Sequence, residues 1–84
     1  MPRYFFDMLI CGNASQDLEG LVLEDDGAAQ IAAGGILHDL ALASLPSGRL
    51  QVFVATVREH RRGPVFRTTM TLETELIGAT ISGA

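Results

Sequence analysis

The sequence predicts an α+β domain of ββαββ order, a four-stranded antiparallel sheet in strand order 2-1-3-4 packed on one helix. Three observations carry this reading. Residues 3–10, 50–58 and 65–77 alternate with the two-residue period of strands, whereas residues 26–44 place apolar side chains three and four positions apart. Turn chemistry separates these segments at Gly12-Asn13, at Pro46 with Gly48, and at Glu59–Gly63. A right-handed return from the second strand to the third, across the first, gives the order 2-1-3-4.

The opening segment holds three of the five aromatics, Tyr4, Phe5 and Phe6. Tyr4, Phe6, Met8 and Ile10 fall on one face, and Arg3, Phe5, Asp7 and Leu9 on the other. Neither face is polar throughout, so the strand is central and partly covered on its second face. Asp7 is the most out-of-place charge in the chain, with Arg3 or Arg67 as its expected partner across the sheet. A second, shorter strand follows over 18–23, and Gly20 within it marks a bulge or a close backbone approach.

Glu24-Asp25-Asp26 starts the helix, because Asp25 or Asp26 caps free N–H groups and acids favour the positive end of the helix dipole. The helix runs to about Ser44 and stops before Pro46. Ala29, Ala33, Ile36, Leu37, Leu40 and Ser44 form its inward stripe. Ile31, Gly35, His38 and Leu42 form a second stripe on the other side. Gly34-Gly35 in mid-helix costs about 2 kcal/mol relative to two alanines, which implies tolerated drift or a close backbone approach.

In the third strand Phe53, Ala55 and Val57 oppose Val52, Val54 and Thr56. Glu59–Gly63 is the hairpin loop, and Pro64 begins the returning strand. There Phe66, Thr68, Met70 and Leu72 share one face, and Val65, Arg67, Thr69 and Thr71 the other. Residues 1–77 are read as a single domain and 78–84 as a tail without periodicity.

A chain of 84 residues makes one small domain that buries roughly 60–65% of its unfolded surface. With 48% hydrophobic residues it is globular. The lone cysteine, Cys11, excludes an internal disulfide and fits the cytoplasm. No signal peptide is visible, and no apolar run reaches the ~20 residues of a membrane span. Charge divides unevenly: residues 1–48 carry seven acids and one arginine, residues 49–84 five arginines and three glutamates, and the chain nets −4. That balance repels nucleic acid except at a local arginine patch.

The hexapeptide Pro2-Arg3-Tyr4-Phe5-Phe6-Asp7 resembles the opening of a family of small bacterial proteins known as a domain of unknown function. Glu19-Gly20 before Asp25 and Ala28-Ala29, and the hairpin from Val57-Arg58-Glu59 to Gly63-Pro64-Val65, match it as well. The family implies no activity, cofactor or site residue. Its helix usually carries leucine and charged residues where Gly34 and Gly35 stand, and its last hairpin turns through acids and glycine in place of His60-Arg61-Arg62.

Chemistry-bearing residues are sparse. Cys11, His38 and His60 fall in three different elements, as a packed thiol, a helix-surface histidine and a loop histidine, so no metal is expected. Asp17, Glu19, Glu24, Asp25 and Asp26 lack calcium-loop spacing and read as a cap and a solvated acidic edge. There is no nucleophile elbow, and His38 and Asp39 project about 100° apart on a helix. A domain this thin leaves little room for a small-molecule pocket. The expectation is therefore a non-enzymatic protein without cofactor, acting by self-association or as part of a larger complex. Its contact surfaces are the sheet face Phe5, Leu9, Val52, Val54 and the helix stripe Ile31, Gly35, His38, Leu42. The alternative is a nucleic-acid-binding regulator using the hairpin cations Arg58, His60, Arg61, Arg62 and Arg67.

Overall fold

Alternation in the opening segment positions everything else. In the computed structural model, which describes residues 1–44, 50–75 and 77, strand β1 (Arg3–Ile10) buries Tyr4 and Phe6 and half-buries Met8 and Ile10 on the same face. The next hairpin turns through Cys11 and Gly12, one residue earlier than Gly12-Asn13. Their φ values of 48° and 89° are the two positive angles of a type I′ turn, and Ile10 faces Asn13 across it. Cys11 is exposed there, not packed.

The expected second strand over 18–23 is instead two short pieces, β2 (Asn13–Ser15) and β3 (Leu21–Val22), both antiparallel to β1. The break has a geometric cause. Continuing the β2 register, in which Met8 faces Ser15, would set Glu19 opposite Tyr4, yet Tyr4 faces Leu21. Two surplus residues are taken up by a loop over 16–20.

Helix α1 (Asp26–Ser44) begins where the acids place it. Asp25 is the cap: its Oδ1 accepts the Ala28 N–H at 2.8 Å, and its carbonyl accepts the Ala29 N–H at 3.1 Å. Ala29, Ala33, Leu37 and Ala41 are buried, with Ile36 and Leu40 packed beside them. Ala41 thus belongs to the inward stripe, and the side chain of Ser44 lies outside the described residues. Three alanines in four buried positions let the helix backbone lie close over Phe53, Ala55 and Val57.

Strand β4 (Leu50–Glu59) pairs with β1, and β5 (Gly63–Glu73) pairs with β4, all antiparallel. The sheet runs β2-β1-β4-β5, with β3 beside β2 on the β1 edge. Counting β2 and β3 as one broken edge strand recovers the predicted order. Val57 faces Phe66 but Arg58 faces Pro64, so Val65 is an extra residue, a bulge beside a proline that cannot donate to the ladder. The last strand ends at Glu73, short of Ile77, and the expected tail 78–84 lies outside the described residues. Among the described residues, every buried side-chain nitrogen or oxygen has a hydrogen-bond partner.

Candidate interaction surfaces and the arginine hairpin

The pairing register decides which charges meet. On the sheet face away from the helix, Phe5 faces Arg58 and Asp7 faces Thr56. The Arg58 guanidinium reaches diagonally to Asp7, donating from Nε at 2.6 Å and from Nη2 at 3.2 Å. It donates again to the Asp17 carbonyl at 2.9 Å and lies 4.6 Å over the Phe5 ring. Asp7 therefore pairs with Arg58, not with Arg3 or Arg67. Arg3 donates to the Glu19 carbonyl at 2.8 Å, and Arg67 to Thr56 Oγ1 at 3.3 Å.

Asp17 is the second half of this pin. Its carboxylate accepts the N–H groups of Phe6, Glu19 and Gly20 at 3.0–3.1 Å, while its own N–H donates to Asp7. It is a half-buried hub of the loop, not part of a solvated acidic edge. Gly20 closes the arrangement. Its φ is +72°, and a Cβ there would stand 2.8 Å from the Tyr4 carbonyl and 3.0 Å from the Phe5 ring. That is the close backbone approach the sequence allowed for.

The Arg58 hydrogen bonds hold the Asp7 carboxyl below the usual 3.8, ahead of the opposing effect of burial. Burial pushes Asp17 up, but the N–H donors of Phe6, Gly20 and Glu19, with Arg58 nearby, outweigh it and leave the group lowered. Asp7 and its hydrogen bonds in turn raise Arg58.

At the other end of the hairpin, Glu59 is buried in β4 and accepts the N–H groups of Arg61 and Arg62 at 3.2 and 2.9 Å. Burial pushes its carboxyl up, and these donors with the Arg62 guanidinium bring it below the usual 4.5. Arg62 reaches Asp26 at the start of α1, at 2.5 Å from Nη2, and the same carboxylate accepts the Tyr4 hydroxyl at 2.6 Å. Arg62 and then Tyr4 hold Asp26 below its usual value, while Asp26 raises both of them. The turn is thereby fastened to the helix N-terminus.

The five hairpin cations are placed differently. Arg58 and Arg62 are engaged in ion pairs, Arg67 lies along the sheet, and His60 and Arg61 are exposed at the turn. Arg3, whose nearness to this turn is set by the β1–β4 register, joins them around a half-open cleft of about 590 Å³ between the chain start and residues 59–62.

Of the apolar stripes expected as contact surfaces, the helix stripe is exposed and the sheet stripe is partly covered. On the helix Ile31 is 79% and Leu42 58% exposed, with Gly35 and His38 exposed between them. On the sheet Leu9 is 44% and Val52 37% exposed, while Val54 is half-buried. Phe5 is half-buried beneath Arg58 and Gly20. Among the described residues nothing approaches the Cβ positions of Gly34 or Gly35 within 4 Å, so neither glycine answers a close contact there. His38 Nδ1 lies 3.9 Å from Asp39 Oδ1, both on the exposed side of the helix. Among the described residues, no three His, Cys, Asp or Glu side chains gather as a metal site, and no helix is long and apolar enough to cross a membrane.

The family model of a domain of unknown function, DUF6894, matches residues 3–71. The chain belongs to that family. Comparisons with curated proteins and with solved structures each return no match. The DUF6894 match begins inside the aromatic hexapeptide and ends two residues before the close of β5, so it takes in the charged pin, the helix and the hairpin.

Proposed function

We propose that this DUF6894 domain is a non-enzymatic interaction protein of the cytoplasm that works by self-association or as an accessory subunit. The observation that supports this is apolar exposure on both outer layers, Ile31 and Leu42 on α1 and Leu9 and Val52 on the sheet. A 19-residue helix in a small domain ordinarily turns one apolar stripe inward and polar residues outward, and α1 carries apolar residues on both sides. Covering them removes that surface from water at roughly 25 cal/mol per Å².

The test is light scattering on the full chain beside an Ile31→Glu/Leu42→Glu variant and a Leu9→Thr/Val52→Thr variant. Each changes exposed positions and leaves the core alone. The wild-type chain is expected to exceed monomer mass, and at least one variant to lose that excess. A wild-type monomer at high concentration that also retains no partner in a pull-down overturns the reading. The alternative, contact with nucleic-acid phosphates through the hairpin, draws on less, since Arg58 and Arg62 are already paired and the chain nets −4.

A further inference from the structure

The two edges of the sheet are unlike. The β1 side is finished by β2, three residues, and β3, two residues, with the Asp17 loop between them. The β5 side is an 11-residue strand, regular from Phe66 to Glu73 beyond its Val65 bulge, with no strand neighbour on its outer side among the described residues. Short, broken edges resist further pairing, whereas a longer regular stretch of edge offers a row of free N–H and C=O groups.

The ladder parity identifies that row. The His60 N–H donates to the Arg3 carbonyl and the Cys11 N–H to the Val52 carbonyl, so even-numbered β4 residues bond to β1 and odd-numbered ones to β5. Phe53 faces Met70 and Ala55 faces Thr68. Even-numbered β5 residues are thereby used, and the backbone groups of Arg67, Thr69, Thr71 and Glu73 point outward from the edge.

We propose that β5 pairs antiparallel with β5 of a second copy, about a two-fold axis at Met70. This rests on the self-association reading above and adds a contact of its own, the β5 edge, which leaves Ile31, Leu42, Leu9 and Val52 uncovered for the faces tested there. Charge selects the register. Pairing centred on residue 67 would oppose Arg67 to itself, and pairing centred on 73 would oppose Glu73 to itself. Centring on Met70 sets Arg67 opposite the second copy's Glu73 at both ends and Thr69 opposite Thr71 between them, on the open face. On the helix face the same register brings Met70 to Met70 and Leu72 beside Thr68, all half-buried positions of the strand that this contact would finish covering. Both helices then lie on one side of a continuous sheet.

The test is oxidative cross-linking in a Cys11→Asn background, with a charge exchange as a second readout. Met70→Cys is expected to form a covalent dimer. Thr68→Cys and Leu72→Cys alone are not, since like positions then stand roughly 13 Å apart, but their mixture is. Arg67→Glu is expected to weaken association about tenfold or more, and Arg67→Glu/Glu73→Arg to restore it. A dimer that neither cross-links through residue 70 nor responds to the charge exchange overturns the edge pairing and leaves self-association standing. A chain monomeric at every concentration overturns both.

Discussion

At the scale of single residues, Asp7, Asp17, Asp26 and Glu59 are all held below their ordinary values of 3.8 and 4.5. Between the lowered and the ordinary value the unfolded chain binds more protons than the folded one. The stabilisation these carboxylates give is complete above about pH 4.5 and is lost as pH falls through their folded values. Thermal melts are therefore expected to be level from pH 7 to about 5 and to drop steeply below about 4.5. Asp7→Asn should flatten that drop; an unchanged acid limb in this variant would show that the pin carries no linkage. Gly20→Ala is expected to destabilise by roughly 2 kcal/mol or more, from positive φ together with the clash on Tyr4 and Phe5, as read by urea unfolding. The sequence marked Asp7 and Gly20 as unusual but misassigned the partner of Asp7. Which arginine lies diagonal to it depends on the register of strands some 50 residues apart, and alternation within one strand carries no register.

Among the elements, the helix and the last two strands were legible because their period and punctuation agree. Asp25 caps where the acids cluster, and Gly63 with Pro64 ends the turn. The broken edge was not, because β3 is two residues long and the loop before it is held by Asp17 side-chain bonds that leave no periodic trace. The arginine hairpin shows the same limit at the candidate site. Its composition reads as a cation cluster, but Asp26 and Asp7, distant in sequence, neutralise two of its members. In α1, Gly34→Ala and Gly35→Ala each stabilise by about 1 kcal/mol, since open space receives both methyls. Denaturant midpoints check this: a loss of stability at either site would mean that another chain approaches the helix there.

At the scale of the whole molecule, helix α1 covers one face of the sheet and leaves apolar side chains outward on both layers, beside a β5 edge that has no strand neighbour among the described residues. A domain this small gains proportionately much from a second copy, because its own core is limited. The sequence conveyed the excess of apolar surface through its two-sided helix and its two-sided strands, and the structure adds the edge at β5. Sedimentation velocity of the full chain across a wide concentration range tests this most directly. The expected boundary moves from a 9.0 kDa species toward twice that mass as concentration rises; a single 9.0 kDa species at every concentration would rule out self-association.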